Sequence, residues 1–235
     1  MDPYLLRSYL VTCCDKIIEW VVKVGGSLFP NHAIELIKNL ENTKSVIING
    51  GGEFANLIRK YDENIGFASQ TTHETAIDSM DIIAKLLNDR LEFTKLVYDI
   101  NQVYEALDDE YIPILICSDI LKELDPLEYS WDISSDSIAA YISNLLKSKL
   151  LIATNVDGIY TRKPTLQGSK FIDEISAEKL LSFNESSIDL MLPKFLLEFG
   201  TDCFVVNGKH PERVLSIINS IDSNHNFKYT HIRGD

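Results

Sequence analysis

The chain has 235 residues, a length that suits one large α/β domain, and 45% of them are hydrophobic, so it can bury a sizeable core. Its formal net charge of −13 argues against nucleic acid or an anionic membrane as a partner. The sequence shows neither a secretory signal nor an apolar run of about 18 residues. We therefore expect a soluble, cytoplasmic protein.

The four cysteines do not form a metal-binding or disulfide pattern. Cys13, Cys14, Cys117 and Cys203 include no CxxC pair and no Cys/His cluster. We expect reduced thiols, as in a reducing compartment.

Apolar runs alternate with helical patterns along the chain. Strands are predicted at 17–24, 45–48, 95–98, 112–117, 150–154 and 203–206. Helices are predicted at 31–40, over a segment carrying Phe54 and Tyr61, and at 71–90, 135–147, 177–183, 192–199 and 212–219. Thr71 and Glu74 have the spacing of a capping box that would start the long helix. The alternation favours an α/β fold with a mainly parallel sheet covered on both faces.

Two glycine clusters follow the first two predicted strands. The first is Gly25-Gly26-Ser27, directly after Lys23-Val24, and the second is Gly50-Gly51-Gly52. Glycine allows backbone amides to approach phosphate oxygens closely, and a helix start adds positive potential. A tight turn would explain either cluster alone, but two after adjacent strands favour phosphate binding. Neither cluster is a P-loop, and the second lacks the third glycine of a dinucleotide fingerprint, which argues against an oxidoreductase.

Two charged residues are predicted at helix starts. Ser134 or Ser135 is a suitable N-cap and would place Asp136 in the first turn, where an acidic residue also simply stabilises the helix. Pro193 favours a helix start as well, which would place Lys194 against the helix dipole. A cation in that position indicates an anion nearby, although a surface lysine is the ordinary alternative.

Five segments occur together in the order typical of one family. They are KVGGSL (23–28), INGGGEFA (48–55), SSDSIAAYI (134–142), ATNVDGIY (153–160) and LPKFLLEFG (192–200). The chain resembles the amino-acid-kinase superfamily across residues 20–208. The resemblance implies a three-layer αβα sandwich of the carbamate-kinase-like type, with an acceptor-binding lobe at about 17–150 and a nucleotide-binding lobe at about 150–220. It also implies a homo-oligomer, either a dimer or a trimer.

The same resemblance implies transfer of the ATP γ-phosphoryl group. Lys23 and Lys194 would flank the transferring group, and Asp136 would hold both lysines. Phosphate would be bound by the glycine loops, namely Gly25, Gly26, Ser27, Gly50, Gly51 and Gly52. Nucleotide would be bound by Thr154, Asn155, Asp157, Gly158, Tyr160 and Lys163. Mg²⁺ would bridge the ATP phosphates, and no protein ligand for it can be named.

Within the superfamily, SWDISSDSIAAY and VVNGKHPERV most resemble the archaeal kinases of [5-(aminomethyl)furan-3-yl]methyl phosphate, which act in methanofuran biosynthesis. The acceptor would then be a phosphomonoester with an ammonium group, contacted by Arg59, Trp131, Asp132 and Ser134. Asp132 suits the ammonium, and Trp131 offers an aromatic face. Solvated surface residues remain the alternative for Arg59 and Asp132. The competing functions are kinases for uridylate, isopentenyl phosphate or an amino-acid carboxylate, and a non-catalytic nucleotide-binding module.

Overall fold

The computed structural model describes residues 18–124, 129–162, 165–183, 188–219 and 225–235. Strands in this part of the chain are β1 Trp20–Val24, β2 Ser45–Asn49, β3 Thr94–Val97, β4 Ile112–Leu115, β5 Lys149–Thr154, β6 Ile159–Tyr160, β7 Phe171–Ile172, β8 Glu174–Ser176, β9 Cys203–Asn207 and β10 Tyr229–Arg233. Helices are α1 Asn31–Asn39, α2 Gly52–Ile65, α3 Ser69–Arg90, α4 Ile100–Asp108, α5 Cys117–Leu124, α6 Ser135–Leu146, α7 Ala177–Leu180, α8 Leu192–Phe199 and α9 Pro211–Asn219.

Eight strands form one sheet in the order β3-β4-β2-β1-β5-β9-β10-β8. Every neighbouring pair is parallel except β9 and β10, which are antiparallel. β6 and β7 form a separate antiparallel pair. The mainly parallel sheet confirms the predicted architecture.

Strands β1, β2 and β4 are buried along their whole length. Since successive side chains of a strand point to opposite sides, these strands are covered on both faces of the sheet. On one face, Val22 of β1 belongs to an apolar cluster with α1, α3 and α9. On the other face, Val21 belongs to a second cluster that includes residues of α4, α6 and α8. The arrangement is therefore three layers, with helices above and below the sheet, as the resemblance implied.

The predicted capping box of the long helix is wrong. α3 begins at Ser69, its N-cap residue is Ala68, and no side chain caps it. Thr71 lies inside the first turn, and Glu74 instead accepts a hydrogen bond from Gln70 Nε2 at 2.9 Å. The helix extends further toward its N-terminus because this i,i+4 pair supports the first turn and no helix-breaking residue interrupts it.

Two other expectations have clear structural outcomes. Cys117 and Cys203 are free and buried, whereas Cys13 and Cys14 lie outside the described residues. Among the helices that the structure describes, none is long and apolar enough to cross a membrane.

Candidate active site

The two glycine loops meet at the carboxyl ends of β1 and β2. Gly25 N–H donates to the Ala153 carbonyl at 2.8 Å, and Gly50 N–H donates to the Val24 carbonyl at 2.9 Å. A Cβ added at Gly26 would overlap the Gly52 nitrogen, so the loops touch backbone to backbone. Gly52 also has a φ of +55°, a conformation that favours glycine. The loops thus form one continuous glycine surface, in which the N–H groups of Gly25 and Gly50 are already paired with backbone carbonyls.

The first turn of α6 faces this surface. A Cβ built on Gly50 would lie 3.1 Å from Ser135 Oγ. Ser134 is the N-cap, and its hydroxyl accepts a hydrogen bond from Asp136 N–H at 3.3 Å. The prediction of a helix start with Asp136 in its first turn is therefore confirmed.

A buried ion pair joins β1 to α6 beside the glycine loops. Lys23 Nζ lies 2.6 Å from Asp136 Oδ1, and the side chains are 9% and 7% exposed. The strand directs Lys23 toward the face covered by α6, and the helix start holds the carboxylate against it. Removing either partner would leave an uncompensated buried charge, so the fold fixes the two groups together.

Lys194 lies in a different environment. It occupies the first turn of α8, where Pro193 is at the helix start as predicted. Its side chain is exposed, and its Nζ lies 3.4 Å from Met191 Sδ. Among the described carboxylates, none is within ion-pair distance, so the expected contact of Lys194 with Asp136 is not formed in this structure.

Asp189 was not singled out from the sequence, yet its carboxylate contacts the starts of two helices. Oδ2 accepts from Ser134 N–H at 2.9 Å and Ser137 N–H at 3.0 Å, and Oδ1 accepts from Leu192 N–H at 2.7 Å. Burial, and next the charge of Asp136, raise the pKa of Asp189, while hydrogen bonds from Ser137 and Ser134 oppose the rise. Its partners on α6 are 52–55 residues away in sequence, so no local pattern marks it.

The segment expected to bind nucleotide follows β5. The Asp157 carboxylate is held by Asn207 Nδ2 at 3.1 Å and by Arg213 Nη1 at 3.0 Å. A Cβ at Gly158, where φ is +150°, would clash with Thr230 Oγ1. This turn is fixed by β9, β10 and α9, which leaves Asn155 exposed beyond the end of β5. Lys163 lies outside the described residues.

Two of the residues expected to bind the acceptor, Arg59 and Trp131, are in contact with each other. The Arg59 guanidinium lies 4.7 Å from the centre of the Trp131 ring, and Trp131 Nε1–H donates to Asp62 Oδ2 at 2.8 Å. Asp132 is exposed and lies in a turn ahead of α6, outside the helix that carries Asp136. Asp62 was missed, because an acidic residue on an exposed helix gives no functional signal.

The comparisons with known proteins agree on the class. The family model described as "Amino acid kinase family" matches residues 19–207, and the chain belongs to this family.

Among the relatives, the chain is 38% identical over 221 residues to a [5-(aminomethyl)furan-3-yl]methyl phosphate kinase from Methanocaldococcus jannaschii, covering 91% of this chain and 97% of that protein. It is 28% identical over 205 residues to a uridylate kinase from Methanococcus maripaludis, covering 83% and 85%. The crystal structure of UMP kinase from Ureaplasma parvum has a TM-score of 0.72 at 18% identity, covering 93% of this chain and all of that one. The uridylate kinase structure from Archaeoglobus fulgidus has a TM-score of 0.68 at 20% identity, covering 91% and 99%.

Proposed function

We propose that this protein is an ATP-dependent kinase that phosphorylates a small phosphomonoester to a diphosphate. The observation that carries the proposal is the buried Lys23–Asp136 pair beside two touching glycine loops. Phosphoryl transfer requires positioned cations and backbone donors rather than covalent chemistry, and this arrangement supplies both.

Each part of the site has a role in this proposal. The N–H groups of Gly25 and Gly50 are already paired with backbone carbonyls, so the other amides of the two glycine loops would donate to the phosphates. The Lys23 ammonium neutralises charge that develops on the transferring group. Asp136 keeps that ammonium in place. Lys194 approaches from the start of α8 when the substrates are bound. ATP enters as its Mg²⁺ complex, in which the ion neutralises phosphate charge.

The proposed acceptor is [5-(aminomethyl)furan-3-yl]methyl phosphate, the substrate named for the relative that is 38% identical. The Arg59 guanidinium, which lies over the Trp131 ring, would contact the acceptor together with the indole. Asp132 is exposed beside them and would attract the ammonium of the acceptor, whereas it would repel a second phosphate. Ser134 would contact the acceptor from the N-cap of α6.

The nucleotide would bind along the other half of the sheet. Thr154, Asn155, Gly158 and Tyr160 follow β5, and Asp157 acts there by fixing the turn through Asn207 and Arg213. In this proposal residues of about 17–150 form the acceptor-binding lobe and those of about 150–220 the nucleotide-binding lobe. Lys163 belongs to the same proposed set.

A homo-oligomer, either a dimer or a trimer, is also proposed. α2 has no buried residue, and Phe54, Leu57, Tyr61 and Ile65 are 41%, 47%, 53% and 63% exposed along one stripe. A second copy of the chain would cover this stripe. Light scattering on wild type and on Leu57→Lys tests the point: we expect an oligomer that dissociates in the variant, and a monomeric wild type would refute it.

The function is tested by an acceptor panel. Purified protein with MgATP is offered the aminomethylfuran phosphate, uridylate, isopentenyl phosphate and glutamate, and ADP release and the new product are measured. We expect the furan phosphate to have the highest kcat/KM. A higher value with uridylate would assign the function of the 28% identical relatives instead, and no turnover with any acceptor would favour the non-catalytic module.

The ammonium contact is tested with the same acceptor lacking its amino group. Wild type should prefer the amine, and Asp132→Asn should lose that preference by about tenfold in kcat/KM, roughly the value of one charge-assisted contact. Asp89→Asn, an exposed aspartate on α3, is the matched control and should keep the preference. Equal use of both acceptors by wild type would contradict the role of Asp132.

A further inference from the structure

Asp189 joins the two helix starts that carry Asp136 and Lys194. Its two carboxylate oxygens accept six hydrogen bonds, which come from Ser134 N and Oγ, Ser137 N and Oγ, Met191 N and Leu192 N at 2.6–3.1 Å. The first turn of a helix has unpaired N–H groups and a positive end. One carboxylate therefore accepts hydrogen bonds from N–H groups at the starts of both α6 and α8.

The backbone of Asp189 reaches the catalytic pair itself. Asp189 N–H donates to Asp136 Oδ2 at 3.3 Å, while Asp136 Oδ1 pairs with Lys23. The Asp136 carboxylate is thus held on one side by β1 and on the other by Asp189. In the three-residue step from Asp189 to Leu192 the chain enters α8, which presents Lys194.

We propose that Asp189 is a positioning residue, which fixes α6 and α8 relative to each other so that Asp136 stays on Lys23 and Lys194 faces the transferring phosphoryl group. The inference rests on the proposed kinase function. Its importance follows from geometry, because a misplacement of about 1 Å in a catalytic group costs on the order of 10²-fold in rate.

The chain offers a matched control in Asp81. This carboxylate is also buried, and its Oδ1 accepts from Cys117 N–H at 2.9 Å and Ser118 N–H at 3.5 Å at the start of α5. It caps one helix that carries none of the proposed site residues. Asp81→Asn and Asp189→Asn therefore make the same chemical change at a helix start, and only the second change touches the site.

The experiment compares kcat, the KM for ATP and the melting temperature of both variants with the aminomethylfuran phosphate as acceptor. We expect both variants to have a lower melting temperature than wild type. Asp189→Asn should lose kcat by at least about tenfold, while its KM for ATP stays within about threefold of wild type. Asp81→Asn should keep kcat within about threefold of wild type. Equal kcat losses in the two variants, measured per folded molecule, would overturn the proposal, since the loss would then not depend on contact with the proposed site.

A second readout does not depend on the acceptor. Trace acetylation by acetic anhydride reports how freely each lysine reacts, with exposed Lys170 as the internal reference. Relative labelling of Lys23 should rise at least about threefold in Asp189→Asn and stay unchanged in Asp81→Asn, because a loosened ion pair exposes the amine. Unchanged Lys23 labelling in Asp189→Asn would also overturn the proposal. If wild type phosphorylates none of the acceptors, the proposed function fails, and the labelling comparison alone decides the role of Asp189.

A milder pair of variants covers the case in which Asp189→Asn does not fold. Ser137→Ala removes the 2.6 Å bond to Asp189 Oδ1, and Ser143→Ala removes a bond from another buried serine of α6 to the Ala140 carbonyl. We expect Ser137→Ala alone to raise Lys23 labelling and lower kcat, by about two- to threefold. Equal behaviour of the two serine variants would contradict the positioning role.

Discussion

The two lysines proposed to flank the transferring phosphoryl group differ in burial and in their contacts. Lys23 lies in the central strand, is 9% exposed, and is held by Asp136 at 2.6 Å. Lys194 lies at a helix start, is exposed, and contacts Met191 Sδ at 3.4 Å. Folding therefore fixes the first cation, whereas the second stays at the surface, where a lysine side chain keeps most of its rotamer freedom.

This difference has a physical basis. A buried ammonium must be paired, so the fold supplies Asp136 as its permanent partner. An exposed ammonium near a helix N-terminus is unfavourable beside the helix dipole, and an incoming phosphate removes that cost. In the proposed mechanism Lys23 would serve both stability and chemistry, whereas Lys194 would serve chemistry alone, and variants of each lysine test both properties.

The largest effect is expected for Lys23→Met. The variant should lose kcat by about 10²–10³-fold. It should also lose about 3 kcal/mol of unfolding free energy, because Asp136 is left buried without its cation. Kinetics and urea unfolding measure the two effects, with Lys170→Met at an exposed site as the control.

Asp136→Asn sharpens this expectation. It should lower kcat comparably, and the double variant Lys23→Met/Asp136→Asn should recover part of the lost stability, since no buried charge then stands alone. Near-normal kcat in either single variant would remove that residue from the chemistry. Strictly additive stability losses would mean that the pair is not coupled.

Lys194→Ala should affect kcat without affecting stability. We expect a loss of about 10²-fold in kcat, a smaller change in the KM for ATP, and an unfolding free energy within about 0.5 kcal/mol of wild type. The same kinetic and urea measurements serve here. A stability loss as large as that of Lys23→Met would show that Lys194 contributes to the stability of the fold as Lys23 does.

The smallest effect concerns pH and the start of α8. Burial raises the pKa of Asp189 in the folded state above its ordinary value of 3.8. At pH values between the unfolded-state pKa and the raised folded-state pKa, the folded state therefore binds more protons than the unfolded state. The contribution of this group to the unfolding free energy then falls as pH rises through the window, by at most about 1.4 kcal/mol per pH unit. Urea unfolding at a series of pH values should show a shallower fall in Asp189→Asn. An unchanged slope would contradict the raised pKa.

Sequence patterns predicted the parts of this molecule that depend on local chemistry. The glycine loops follow their strands, Ser134 caps α6, and Pro193 starts α8, because each depends on the backbone preferences of a few neighbouring residues. The family and the kinase class are confirmed by the family match and the relatives.

Features that depend on distant contacts were missed or wrong. Asp189 has no local signature, since its role comes from helix starts that meet only in the folded chain. β8 and β10 were not predicted, and they pair with each other at the edge of the sheet across more than fifty residues of sequence. The Thr71–Glu74 pattern matched a cap, but the preceding residues are also helical. The position of Lys194 was predicted, whereas its separation from Asp136 depends on side-chain freedom that a sequence pattern does not encode.

The central position of β1 has a consequence for synthesis of the chain. β1 pairs with β2, which follows it closely, and with β5, which begins only at Lys149. A ribosome that adds about 5–20 residues per second leaves the second edge of Trp20–Val24 unpaired for several seconds. That edge is apolar and rich in β-branched residues, which is the type of strand that recruits other chains. The nascent protein is therefore most prone to aggregate before β5 emerges, and a fragment ending after α6 should require a chaperone to stay soluble.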